Sequence, residues 1–188
     1  MLDPRTTAFV VIDVETTGLK PDGDRVCEVG AIRMVAGKET GRFHSLVHPG
    51  RPMPPDAQKT HGISDEMLKG APAFDAIAPE LRKFMSQSVL VAQNAEFDVS
   101  FLNAEFSRAG MAKLAMPALD TILLARKVRP GLPSYNLDSL ARQFQLKFTD
   151  RHRSIGDCEV TGGVFWKCVD VIRPKTMDDL LKKGMIKA

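Results

Sequence analysis

The stretch Phe9–Gly18, FVVIDVETTG, carries an apolar run straight into Asp13 and Glu15, two acids separated by one residue. The run reads as a buried strand, and on a strand alternate side chains share a face, so the two carboxylates stand close together on one side. Like charges so placed repel. Two readings are open at this point. Either the strand ends in solvent with Thr16, Thr17 and Gly18 as its turn, or a hard divalent cation such as Mg²⁺ sits between the acids, since such ions bind through oxygen ligands. A second acidic cluster elsewhere decides between them.

Two further segments offer one. QNAEFD, Gln93 to Asp98, follows the short apolar strand Val89–Ala92 and ends with Asp98 opening a helix, while RHRSIGD, Arg151 to Asp157, sets His152 in a basic loop and starts the last long helix at Asp157. Each has an ordinary reading. Aspartates gather at helix starts to cap amides and meet the dipole, and a histidine among arginines is an ordinary solvated loop residue. Together, three segments far apart in sequence each deliver a carboxylate to a strand end or helix start, places that converge at one edge of an α/β sheet. Four carboxylates in one cleft need neutralising. Two divalent cations, Mg²⁺ or Mn²⁺, held about 4 Å apart are the usual solution for phosphodiester hydrolysis, and a histidine with its ordinary pKa of about 6.5 is a natural general base for the attacking water.

The rest of the chain supplies the frame. Val26–Val35 alternates as a second strand, Ala36-Gly37-Lys38 as a hairpin turn and Gly41–Gly50 as a third strand, an antiparallel meander. Ile77, Leu81 and Phe84 predict a helix between Pro72 and Ser86, and Phe101, Leu102 and Phe106 predict another that Gly110 ends. A short strand near Met116–Leu119, a helix from an Asp120 cap to Val128, one through Leu137, Leu140 and Phe144, and one over Asp157–Ile172 complete the pattern. This order predicts a mixed α/β sheet covered by helices. The domain is expected over residues 1–173, with 174–188, PKTMDDLLKKGMIKA, as a short charged tail.

At 188 residues with a formal charge of +3, the chain suits one domain with a polyanionic partner without the charge density of a nucleic-acid-binding tail. Cys27, Cys158 and Cys168 are odd in number and lack CxxC spacing, so they read as reduced thiols and point to a cytoplasmic location. MLDPRTT has no export pattern and no apolar run is long enough for a membrane span.

The motifs D-x-E-T-T-G, N-A-x-F-D and H-x-x-x-x-D, in this order, resemble those of the DEDDh (DnaQ-like) family of 3′-to-5′ exonucleases, in a layout similar to the proofreading epsilon subunits of bacterial DNA polymerase III. The resemblance implies a ribonuclease H-like fold in which Asp13, Glu15, Asp98 and Asp157 hold two Mg²⁺ or Mn²⁺ ions and His152 is the base. It further implies that Thr16, Thr17 and Gly18 contact the terminal nucleotide, that Phe97 packs against its sugar or base, and that His61 in THGIS (residues 60–64) lines its pocket. Asn94 is counted with these substrate-binding residues and is expected to tie the strand end together by hydrogen bonds. Many relatives have histidine where this chain has Gln93, which leaves the metal site intact and bears on how the nucleotide is gripped. Asp120 and Asp138 are assigned to helix starts or surfaces, and Arg151 and Arg153 to electrostatic help with the phosphate backbone or to solvent. The implied partner is a single-stranded 3′ end, of DNA or, as in ribonuclease T, of RNA, and the alternative is a subunit that docks on a DNA polymerase catalytic subunit. With 6% aromatic residues the chain has no long stacking platform, which favours gripping only the last few nucleotides. The final segment contains no sliding-clamp-binding motif.

Overall fold

A computed structural model describes residues 3–186. Its centre is a five-stranded sheet in the order β3-β2-β1-β4-β5, from β1 (Phe9–Thr16), β2 (Val26–Val35), β3 (Lys38–Leu46), β4 (Val89–Ala92) and β5 (Ala118–Asp120). The first three strands form the expected meander, turned at Ala36 and Gly37, which both take positive φ (50° and 78°) as a tight hairpin requires. β4 lies parallel to β1 and β5 parallel to β4, reached through helical crossovers. The helices are α1 (Pro55–His61), α2 (Asp65–Leu68), α3 (Phe74–Met85), α4 (Ala95–Arg108), α5 (Thr121–Val128), α6 (Leu137–Phe144), α7 (Ser154–Ile172) and α8 (Met177–Gly184).

The period of two divides β1 between two cores. Val10, Ile12 and Val14 join Phe74, Leu81, Phe101 and Phe106 beneath α3 and α4, whereas Phe9 and Val11 join Leu140, Val164 and Phe165 beneath α6 and α7. Asp13 and Glu15 continue the second face. The apolar residues stop where α7 begins, so the acids stand beside the first turn of that helix. Gly30 is what allows this approach. It pairs with Asp13 across the β1–β2 ladder, and a Cβ on it would stand 2.7 Å from the carbonyl carbon of Ser154, the first residue of α7.

Several boundaries differ from the sequence expectation, β3 among them, which spans Lys38–Leu46 rather than Gly41–Gly50. Asp98 does not open α4, which begins one turn earlier at Ala95, because Asn94 takes the left-handed conformation (φ 59°) and the Asp120 carboxylate accepts the Asn94 and Ala95 amides at 3.3 Å. Likewise α7 begins at Ser154 rather than Asp157, its first amide donating to Glu28 at 2.8 Å. The segment after Arg173 is not a bare tail among the described residues. Thr176 and Asp179 form a reciprocal capping box, Met177 and Leu180 bury against α5, and Met185 bridges to Leu119 while the Ile186 amide donates to the Ala118 carbonyl at 3.0 Å. Residues 187 and 188 lie outside the described residues.

Candidate active site

The sheet brings Asp13 and Glu15 of β1 together with Asp157 of α7. One carboxylate oxygen from each lies within 4.8 Å of the others, a spacing that suits a shared cation. Asp98 belongs to the same neighbourhood but stands outside this trio. Its Oδ1 accepts the Val14 amide at 3.0 Å, so it closes the end of β1 past the point where the β4 ladder stops at Val11.

Burial makes the cluster reluctant to ionise. Asp13 is pushed well above the ordinary carboxylate range by desolvation and then by Asp98, Glu15 and Asp157. Glu15 rises to about 8 through burial and the charges of Asp157 and Glu28. Asp98 also rises to about 8, chiefly by burial and in spite of the Val14 amide. Asp157 rises less, because Arg151 opposes the desolvation. The Arg151 guanidinium donates to Asp157 and, through Nε and Nη2, to Asp138 at 3.1 and 3.0 Å. It is a single positive charge set against several acids. Asp157 Oδ1 is buried without a hydrogen-bond partner among the described residues. An orphaned carboxylate oxygen beside two acids whose pKa is raised by burial and then by neighbouring charge is a donor set that a divalent cation would complete.

The raised values have a thermodynamic consequence with a definite sign. Glu15 and Asp98 bind protons in the folded protein up to about pH 8, whereas in the unfolded chain they release them near pH 4. The folded state therefore carries the extra protons, and stability falls as pH rises through that window. In EDTA the melting temperature is expected to drop by several degrees from pH 5 to pH 8, about 2–4 °C for each kcal/mol, less steeply in Glu15→Gln, and to recover when Mn²⁺ is added at pH 8. Differential scanning fluorimetry checks this, and a melting temperature that climbs with pH equally in both proteins contradicts it.

His152 sits on an exposed turn with φ 60°, a left-handed conformation a side chain seldom adopts, and Arg151 Nη1 lies 3.2 Å from its Nδ1. What holds the turn is Glu28, a fully buried acid of β2. Glu28 accepts from Arg153 Nε at 3.0 Å, from the Ser154 amide and from His44 Nε2 at 2.9 Å. Burial alone would raise Glu28, but these bonds outweigh it and keep the acid below its ordinary value. Arg153, half-buried, is therefore committed to Glu28, and Arg151 is likewise engaged by Asp138 and Asp157, so neither is a loosely solvated loop arginine. Glu28 escaped the sequence reading. The signal was a lone glutamate inside the apolar run VCEVGAI, where a charge needs a dedicated partner.

Beside Glu15 opens a cavity of about 490 Å³, bounded by the Thr16–Leu19 turn, Pro54 and Ala57, His61 and Phe97. The expected nucleotide-pocket residues thus meet, but several polar groups are already engaged. The Thr16 hydroxyl donates to the Gly18 carbonyl at 2.6 Å, and the Thr17 hydroxyl accepts the Arg25 amide at 3.0 Å. His61 is buried, with Nδ1 accepting the Ile63 amide at 3.1 Å, which leaves Nε2 to donate to the Thr16 carbonyl at 3.3 Å. Burial lowers its pKa, so it stays neutral and braces the turn. Phe97 packs at a tilt of 46° against Phe101, with ring centroids 4.8 Å apart, and also lines the cavity. Leu19, which the motif reading passed over, is 82% exposed at the rim, an apolar side chain left uncovered. Asn94 does not line this cavity; its backbone amide ties the strand end to Asp120. Asp120 caps α5 as expected but is buried rather than on the surface.

A mixed sheet with acids gathered where β1 meets the start of the last long helix defines a class: residues 10–165 match the family described as Exonuclease, of RNase T type, and the chain belongs to that family. Its DnaQ-like character is carried by the relatives. The DNA polymerase III subunit epsilon of Rickettsia felis is 42% identical over 164 residues, covering 83% of this chain and 71% of that protein. The PolC-type DNA polymerase III of Halalkalibacterium halodurans is 34% identical over 182 residues, 94% of this chain, and the match spans only 13% of the polymerase. Among solved structures, exonuclease X in complex with 5′ overhanging duplex DNA shares the fold, with a TM-score of 0.75 at 24% identity over 94% of this chain and 99% of that one.

Proposed function

We propose that this chain is a metal-dependent 3′-to-5′ exonuclease that releases nucleoside 5′-monophosphates from single-stranded ends, with DNA as the polymer. The observation that carries the reading is the Asp13, Glu15 and Asp157 trio within 4.8 Å, next to a cavity of nucleoside size. Two Mg²⁺ or Mn²⁺ ions held by these acids and Asp98 would supply charge to the phosphoryl oxygens and lower the pKa of the attacking water. His152 takes the proton from that water. The Thr16–Leu19 turn, His61 and Phe97 receive the terminal nucleoside, through turn backbone and ring surface more than through the threonine hydroxyls. The Rickettsia felis relative, a subunit of DNA polymerase III, and the Halalkalibacterium halodurans relative, a PolC-type DNA polymerase III, favour DNA over RNA, and the subunit favours a polymerase catalytic subunit as partner. Three buried free thiols agree with a reducing, cytoplasmic setting, and among the described residues no helix is long and apolar enough to cross a membrane.

Matched 5′-labelled single-stranded DNA and RNA oligonucleotides incubated with Mg²⁺ or Mn²⁺ test the proposal. The expected result is a ladder shortening from the 3′ end on DNA, abolished by EDTA. A ladder on RNA alone moves the protein to RNA trimming, and no ladder on either polymer removes the exonuclease reading.

A further inference from the structure

The carboxylate trio lies between two cavities of unlike chemistry. The nucleoside cavity described above shares Glu15 with the trio and has no arginine or lysine in its lining. A second cavity, of about 470 Å³, shares Asp13 and Asp157 with it and is lined by Gln93, Tyr135, Arg126 and Arg151. The asymmetry matches the two sides of a scissile phosphate at a 3′ end. The departing mononucleotide ends in a hydroxyl and needs no cation beyond the reacting centre, whereas the strand left behind continues with a phosphate on every residue.

The two arginines of the second cavity are not equivalent. Arg151 is held by Asp138 and Asp157. Arg126, on α5, is exposed and makes no ion pair among the described residues; its guanidinium lies over the Tyr135 ring, 5.3 Å from the centroid. That ring is fixed. The Tyr135 hydroxyl donates to the Arg129 carbonyl at 2.7 Å and accepts the Leu132 amide at 3.2 Å, while its own carbonyl accepts from Gln93 Nε2 at 2.8 Å. The other end of the Gln93 amide accepts the Thr121 hydroxyl. Gln93 therefore spends both ends of its side chain fastening the loop around Tyr135 to the sheet. A positive charge resting on an anchored aromatic face is preorganised for a phosphate.

Resting on the exonuclease reading, we propose that this second cavity is the subsite for the penultimate nucleotide, with Arg126, seated on Tyr135, binding the phosphate on that nucleotide's 5′ side. The dinucleotides pdTpdT and dTpdT differ by that phosphate alone. Steady-state kcat/KM with Mn²⁺ is expected to favour pdTpdT about tenfold in the wild-type protein, the size of one charge-assisted hydrogen bond, with the difference in KM. Arg126→Ala is expected to bring the ratio near one, and Arg126→Lys to keep part of it. A ratio near one in the wild-type protein, or a tenfold ratio that survives in Arg126→Ala, overturns the subsite. The p-nitrophenyl ester of thymidine 5′-monophosphate, which lacks a penultimate nucleotide, separates the two levels. Its cleavage by the wild-type protein together with either of those ratios defeats only the subsite, whereas failure to cleave it and both dinucleotides defeats the exonuclease reading and the subsite with it.

Discussion

Asp157→Asn is expected to lower kcat on single-stranded DNA by about three orders of magnitude while the protein stays folded. The substitution keeps the shape of the side chain but removes one of the three negative charges that crowd within 4.8 Å and turns the carboxylate with the orphaned oxygen into a neutral amide, a far weaker cation ligand. Losing several kcal/mol of charge stabilisation in the transition state corresponds to a loss of this size, since each 1.4 kcal/mol is tenfold. Folding is not expected to suffer. Arg151 retains its two bonds to Asp138, and the remaining acids lose a like-charged neighbour, so the metal-free melting temperature should hold or rise at pH 8. Single-turnover kinetics with a parallel Mn²⁺ titration by calorimetry measures both effects. Near-wild-type turnover, or unaltered Mn²⁺ affinity, would refute the assignment of Asp157 as a ligand.

His152→Ala is expected to cost between about 10² and 10⁴ in kcat, the range for removing a general base, with Mn²⁺ affinity unchanged. The separation of the two readouts matters. His152 is exposed on a strained turn and is not one of the three acids, and the backbone hydrogen bond it gives Asp157 survives in the alanine variant, so the cation site should stay whole. A variant that cleaves at the wild-type rate would show that another group takes the proton. One that loses Mn²⁺ along with activity would show that the turn supports the acids and not the chemistry.

Much of this was legible in the sequence because it depends on local spacing. An apolar run ending in Asp-x-Glu fixes a strand and the shared face of its acids, and the positions of Asp98 and Asp157 beside helix starts bring them to the same edge. What escaped depends on partners distant in the chain. Asp98 turns to the Val14 amide, and Arg153 reaches across to Glu28, contacts that no local pattern announces. The resemblance implies that Thr16 and Thr17 contact the terminal nucleotide, but a tight turn uses their hydroxyls to satisfy its own backbone. The final helix is a different case. Met177 and Leu180 at helical spacing after a Thr176-x-x-Asp179 cap were visible, and the density of charge around them obscured the pattern.

Gly30 gives the site an unusual kind of dependence. It contributes no reactive atom, yet it pairs with Asp13, and the distance from Asp13 to Asp157 is set by how closely one helix can rest on bare backbone at that point. Any side chain there acts as a spacer, parting two acids that are each chemically intact. A protein of this design is expected to be silenced by a single methyl group added to a residue that supplies no functional group, and a survey of its variants that looks only for missing functional groups will overlook the position.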